Sequence, residues 1–179
     1  MNDKAKRPFR GADAIQQSIR EARHRYDALD RGQTAPLRRC RTANEVGVEG
    51  VYWCVAGSFG QEQNLSHVVL LFPLASQSTQ PRFSFGQYLR RHLGDTDGAK
   101  LRVRRLLACR DREELGHRLR GVLKLANATS HPVDWGILGS EILWFFAENG
   151  NARRRWAEGF YAPQTRDTNS ENASDVVNT

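Results

Sequence analysis

The chain has 179 residues, which suits one compact unit or two small ones, and its 39% apolar content is too high for a fully disordered protein. It carries 27 basic and 20 acidic residues, a formal net charge of +7, and 23 of the basic residues are arginine. The longest apolar run, residues 68 to 75, is far short of the roughly 20 residues that span a membrane, so no membrane partner is expected.

The cysteines and the N-terminus predict a cytoplasmic protein. Cys40, Cys54 and Cys109 are odd in number and far apart in the sequence, which is typical of reduced thiols. No apolar segment follows the basic N-terminus, so it does not look like a signal peptide. We therefore expect a cytoplasmic chain without disulfides.

The first predicted element is an amphipathic helix over residues 13 to 30. Its apolar side chains recur at helical spacing along one stripe. Arg20, Arg23 and Arg25 fall largely off that stripe, so the helix is expected to direct them away from the core.

Of the next two segments, residues 51–55 are either a strand or a helix, and residues 65–75 are predicted to be a helix. The β-branched and aromatic residues at 51–55 favour a strand by propensity, but periodicity does not decide between strand and helix there. Asn64 is predicted to cap a helix over residues 65–75, and Pro73 should kink or stop it near its end.

The C-terminal half predicts five helices, most of them with an N-cap signal. Helices are expected at 85–93, 99–109, 112–127, 135–149 and 151–161. The spacing of a capping box occurs at Ser84–Gln87 and Asp111–Glu114, and Asp134 is a further predicted N-cap. In the N-terminal half the same spacing occurs at Thr42–Glu45. Core positions are Leu115, Leu119, Trp135, Leu138, Ile142, Phe145, Trp156 and Phe160, and the four tryptophans are interpreted as core anchors rather than base-stacking platforms.

Together these elements predict an all-α protein made of two small helical bundles packed in one compact chain. The polar, proline-bearing segment 76–82 is the best boundary, between bundles at 12–75 and 83–162. Residues 1–11 are expected to be a flexible basic N-terminus, and the polar tail 163–179 to be disordered.

Motifs for enzyme chemistry are absent from the sequence. It has no glycine-rich phosphate loop, no H-E-x-x-H and no C-x-x-C, and its five histidines are scattered. A Cys109–His117 dyad would lack a third orienting group, and the acidic residues mostly begin helices, where the helix dipole explains them. We expect no catalytic residue, no metal and no cofactor.

The basic residues form the pattern that points to a ligand. On the helix at 99–109, the apolar stripe leaves Arg102 and Arg105 on the opposite face, and no acid follows Asp97. Guanidinium groups fixed on a rigid helix suit a phosphate backbone, which they neutralise without reading sequence. The alternative is a set of separate solvated faces. Bases that could extend the patch are Arg90, Arg91, Arg118, Arg120, Lys124 and Arg153 to Arg155.

Six segments then follow one another in a specific order along residues 26–161. They are LDRGQTAPLRRC from residue 29, VYWCVAGSFG from residue 51, RVRRLLACRDREELGHRLRGVL from residue 102, PVDW from residue 132, ILWFF from residue 142 and RRRWAEGFY from residue 153. In this order they resemble the CasB family, the small subunit of Cascade, the type I-E CRISPR surveillance complex.

The resemblance implies an all-helical subunit without catalytic activity, in which residues 51–55 are helical. Two CasB copies pack beside the helical backbone of Cascade that carries the CRISPR RNA (crRNA). Their basic faces help to hold the guide–target duplex and the displaced strand of the R-loop, while base pairing supplies specificity. The implied partners are crRNA, target and non-target DNA, other Cascade subunits and a second copy of the chain, in antiviral defence.

The resemblance also implies nucleic-acid-binding residues. The family's basic positions correspond here to Arg39, Arg102, Arg105, Arg120 and Arg153. Charge layout alone adds Arg91, Lys124 and Arg154. Gly121 stands where some family members have an arginine, which removes a basic contact at that position.

Two other functions stay open on the sequence. A stand-alone helical DNA-binding regulator would need a recognition helix with polar side chains for base edges, whereas the last two helices are filled by Trp, Phe and Leu. A small hydrolase would need Cys109 or converging carboxylates as its catalytic groups.

Overall fold

Helices make up the regular elements of the structure, a computed structural model that describes residues 11–60, 64–78, 83–127, 132–147 and 151–162, without the side chains of residues 126 and 127. Apart from Gly11, the predicted flexible N-terminus at 1–11 lies outside the described residues, as does the predicted disordered tail at 163–179.

Ten α-helices occur in the described ranges: α1 (Ala12–Asp27), α2 (Ala35–Arg39), α3 (Ala43–Val48), α4 (Gly50–Ala56), α5 (Leu65–Val69), α6 (Phe85–Leu93), α7 (Asp97–Leu107), α8 (Arg112–Asn127), α9 (Trp135–Trp144) and α10 (Ala152–Tyr161). A single 3₁₀ turn follows α4 at Gly57–Phe59, and another follows α5 at Phe72–Leu74. The all-α prediction is confirmed, and residues 51–55 are helical within α4.

The predicted N-caps are confirmed at four helices. The side chain accepts a hydrogen bond from the backbone N–H three residues ahead at Thr42, Ser84, Asp111 and Asp134. Each such bond satisfies one of the N–H groups that a helix start leaves without a partner. Thr96 does the same for α7, so that helix begins at Asp97, two residues before the predicted start.

The prediction for residues 64–75 was wrong in two respects. Asn64 makes no side-chain cap bond; its backbone is left-handed, with φ of 80°. The helix that follows ends at Val69, and a separate 3₁₀ turn contains Pro73. A proline has no N–H to donate to the preceding turn and its ring collides with that turn, which explains the early end.

The predicted core positions are buried, and the buried apolar side chains form one continuous cluster in the described part of the chain. Of the four tryptophans predicted to be core anchors, Trp135 and Trp156 are buried, Trp144 is half-buried against the core, and Trp53 is 50% exposed. No helix within the described ranges is long and apolar enough to cross a membrane.

Contacts connect the two halves of the sequence at the predicted boundary of 76–82 and across it. Helix α1 packs along α9 so closely that a Cβ on Gly139 would lie 2.8 Å from Cγ2 of Ile19. Ser78 N–H donates to the Val133 carbonyl over 2.8 Å, and Val133 N–H donates to that of Ser76 over 2.9 Å. The two halves therefore share a packed interface, and their division into two bundles stays a prediction.

Candidate nucleic-acid interface

The described arginines fall into three sets according to what their guanidinium groups contact, and the first set caps helices. The last carbonyls of a helix have no partner within it, and a cation beside them also interacts favourably with the helix dipole. Six arginines donate to carbonyls at or just beyond the end of another helical element: Arg23, Arg25, Arg90, Arg112, Arg120 and Arg153.

Arg23 corrects the prediction that the arginines of the first helix point away from the core. It is only 5% exposed, and it donates to the carbonyls of Phe72 and Ala75. Asp27, one turn ahead, accepts two further bonds at 2.6 and 2.9 Å. A buried charge needs such partners, and most of them lie about 50 residues away along the chain, where sequence periodicity cannot find them.

Two of the predicted binding residues belong to this capping set. Arg120 Nη1 lies 3.2 Å from the carbonyl oxygen of Cys40, just beyond α2. Arg153 Nη2 lies 2.8 Å from that of Cys109, just beyond α7, and its guanidinium carbon is 4.9 Å from the ring centre of Phe145. Both guanidinium groups are thus used to join elements of the protein.

A second set of arginines is paired with carboxylates. The pairs are Arg20–Asp134 at 3.1 Å, Arg118–Glu114 at 2.7 Å, Arg154–Glu158 at 2.6 Å and Arg155–Glu141 at 3.2 Å. Arg154 was predicted to bind nucleic acid, and its side chain is 80% exposed. Water and salt weaken an ion pair that is this exposed, so Arg154 stays accessible to another anion.

Glu141 positions the helix that carries Arg154. Its carboxylate is only 3% exposed, beneath α10, and burial raises its pKa. It accepts hydrogen bonds from Trp156 Nε1 at 2.6 Å and from Arg155 Nε at 3.2 Å. These bonds fix the rotation of α10, which turns Arg153 inward and leaves Arg154 outside.

The side chains of the third set are exposed and make no hydrogen bond or ion pair with any described residue. Arg102 and Arg105 of α7 belong to it, together with Lys124 of α8. Arg104, also exposed without such a partner, lies between the two α7 arginines in sequence but outside the groove that they border. These cations have no side-chain partner among the residues that the structure describes, and so none of those to give up before they contact a phosphate.

Arg102 and Arg105 border a groove of about 240 Å³ between α7 and α8. Helix α8 carries the opposite side, where the basic side chains are His117 and Arg118. The groove is lined by Arg102, Arg105, Leu106, His117, Arg118, Gly121, Val122 and Leu125. The structure therefore combines the predicted arginine pair with a concave surface that periodicity did not predict.

The structure brings Arg39, Arg120 and Lys124 to a second surface. Arg120 Nη1 contacts the carbonyls of Cys40 and Arg41, so the end of α2 lies against α8. Arg39 is exposed at that end of α2, and Lys124 lies one helical turn beyond Arg120. Basic residues from both halves of the sequence therefore lie on two elements, α2 and α8, that Arg120 links.

Arg91, the remaining predicted residue, stands apart from both surfaces. It is exposed on α6, and its guanidinium carbon lies 3.7 Å from the ring centre of Phe83. A cation over an aromatic ring is stabilised by the ring's quadrupole. Arg91 is not one of the residues that line the α7–α8 groove.

The groups required by the two alternative functions are buried or dispersed. Burial raises the pKa of the Cys109 thiol and so disfavours its nucleophilic thiolate. The described residues contain no cluster of three or more His, Cys, Asp or Glu side chains that could hold a metal ion. Helix α9 is buried or half-buried along its whole length, so it has no free face to enter a DNA groove.

Comparison with known proteins gives a family match and two structural matches. A model of the family described as CRISPR-associated protein Cse2 matches residues 28–161. The crystal structure of CasB from Thermobifida fusca has a TM-score of 0.59 and 20% identity, covering 84% of this chain and 97% of that one. The crystal structure of M. ruber CasB has a TM-score of 0.60 and 20% identity, covering 82% and 91%. No curated protein sequence matches the chain significantly.

Proposed function

The chain belongs to the Cse2 (CasB) family of type I-E Cascade subunits, and on that premise we propose that it binds nucleic acid by its phosphate backbone within that complex. The observation that carries the proposal is the arginine pair Arg102 and Arg105, whose side chains are exposed, have no partner among the described residues and are held on a rigid helix at the edge of a groove. Cations in this state lose little on contacting a phosphate, and they release the counterions condensed on it.

The proposed role is non-enzymatic stabilisation of the R-loop in antiviral defence, in the cytoplasm. As a Cascade subunit the chain associates with other Cascade subunits. The proposed nucleic-acid partners are crRNA, the target strand and the displaced strand, and a second copy of the chain is a further proposed partner. Because base pairing with the guide reads the sequence, contacts that ignore sequence are sufficient for this role.

The remaining predicted residues divide between contact and support. Arg39 and Lys124 are proposed to contact phosphate on the second surface, and the exposed Arg91 and Arg154 to extend the contacts. Arg120 and Arg153 are proposed to act indirectly, because their guanidinium groups already bind backbone carbonyls of neighbouring elements.

The test is the salt dependence of binding to a single strand and to a duplex. We expect the double variant Arg102→Glu/Arg105→Glu to bind both more weakly and to lower the log–log salt slope by about one to two units. The matched control is Arg31→Glu/Arg104→Glu, which changes the net charge equally at two exposed sites outside the groove. Circular dichroism and thermal melting establish that both variants remain folded.

Equal losses in the two double variants would contradict the proposal, because they would reflect net charge rather than a site. Absence of binding by the wild-type chain at low salt would also count against it. The arginines would then serve assembly, and co-purification of both variants with Cascade subunits would measure that role.

A further inference from the structure

The α7–α8 groove combines cations with apolar surface, whereas a phosphate contact needs the cations alone. Its rim carries the cations Arg102 and Arg105, whereas Leu125 supplies exposed apolar surface beside the buried Leu106 and Val122 of its lining. Leu125 is 47% exposed, which leaves a large apolar side chain in contact with water. Cations beside an apolar surface suit a ligand that is itself both anionic and apolar.

We propose that this groove is a nucleotide subsite, which holds one unstacked nucleotide of a single strand with its phosphate on the arginines and its sugar or base on the apolar surface. The inference rests on the proposed function, since it specifies which form of nucleic acid the same surface prefers. In a duplex the bases are stacked and paired, and phosphates are what the duplex offers to such a rim. A single strand can turn a sugar or base face toward the protein.

Gly121 keeps the groove accessible. It lies in the middle of α8, where glycine destabilises a helix by about 1 kcal/mol relative to alanine. No positive φ requires a glycine there, and an added Cβ would meet no atom within 4 Å. The position can therefore take a side chain without a clash, and a large apolar one would fill space that is now available to a ligand.

The charges around the groove favour a nucleotide over a cation or a neutral ligand. Arg118 on the α8 side is already paired with Glu114 at 2.7 Å, so that pair adds little net charge. Within the described part of the chain Arg102 and Arg105 have no such acid, and they leave the rim positive. An acidic peptide with apolar side chains is the competing occupant, and the test includes it.

The decisive variant is Gly121→Leu, which fills the groove and leaves every charge in place. We expect affinity for an oligothymidine strand to fall about tenfold, the effect of losing a few tens of Å² of apolar contact. The affinity for a matched duplex should stay within about twofold of wild type, and the log–log salt slope should not change, because the phosphate contacts are intact. Gly47→Leu is the matched control, since Gly47 is also helical with no atom within 4 Å of an added Cβ.

A second variant, Leu125→Ser, removes apolar surface instead of filling the groove and should also weaken binding of the single strand alone. Equal loss of strand and duplex binding, or no loss with either variant, would overturn the subsite. So would tighter binding of a peptide of alternating Asp and Leu than of oligothymidine. If phosphate binding itself is absent, the wild-type chain will bind neither strand nor duplex, which separates failure of the proposed function from failure of this inference.

Discussion

At the scale of single residues, arginine serves two opposite purposes in this protein. Arg102 is exposed and makes no hydrogen bond or ion pair with a described residue, whereas Arg153 donates to a carbonyl and stacks on aromatic rings. A planar guanidinium can stack and donate at the same time, which the compact ammonium of lysine cannot do. This difference helps to explain why 23 of the 27 basic residues are arginine.

The conservative change Arg153→Lys tests this division. We expect it to lower the free energy of unfolding by about 1–2 kcal/mol, because the carbonyl of Cys109 loses a donor and the aromatic contact is lost. Arg102→Lys should change that free energy by less than about 0.5 kcal/mol, as exposed substitutions usually do. Urea denaturation of both variants gives the comparison, and equal destabilisation would contradict it.

At the scale of elements, two glycines set the spacing between helices where α6 crosses α10. Where α6 crosses α10, a Cβ on Gly86 would lie 2.2 Å from the carbonyl oxygen of Trp156, and one on Gly159 would lie 2.8 Å from the backbone nitrogen of Gln87. Backbone atoms cannot move aside without shifting a whole helix. The glycines therefore set how closely α10 approaches α6.

Gly86→Ala should destabilise the protein by about 3 kcal/mol, the upper part of the range for overpacking, because the new methyl group meets backbone. Gly121→Ala is the matched control on α8, where an added Cβ meets no atom within 4 Å. This change should stabilise the helix by up to about 1 kcal/mol. Thermal unfolding followed by circular dichroism measures both changes. A neutral Gly86→Ala would mean that the two helices are farther apart than described.

At the scale of the whole molecule, one buried side chain connects the two halves of the sequence. Trp135 begins α9 and is fully buried. Its Nε1 donates to the carbonyl of Ala75 at 3.2 Å, and its ring packs against Phe72 with centroids 5.1 Å apart. Both partners precede the predicted boundary at 76–82, so the two halves are expected to unfold as one cooperative unit.

Trp135→Ala should reduce the free energy of unfolding by about 3–5 kcal/mol, as large aromatic truncations in a core do. It should lower the midpoint of a single transition in which far-UV circular dichroism and tryptophan fluorescence coincide. Two separate transitions, with only the later-sequence half affected, would instead establish two independent bundles.

The local features of this protein could be predicted from residue types and their spacing. Four N-caps, the helical class and the outward position of Arg102 and Arg105 follow from residue types a few positions apart, because capping and amphipathicity act within one or two helical turns. The resemblance to the CasB family likewise rests on ordered local segments, and the family is confirmed by the match over residues 28–161.

Which cations lack a partner among the described residues could be learned from long-range contacts alone. Arg120 bonds to carbonyls 79 and 80 residues away, and Arg23 to carbonyls 49 and 52 residues away, at separations where the sequence carries no periodic signal. The α7–α8 groove likewise needs two helices to meet and a glycine to face the space between them. Which charges are satisfied within a protein depends on contacts between distant segments, and those contacts form only when the core packs.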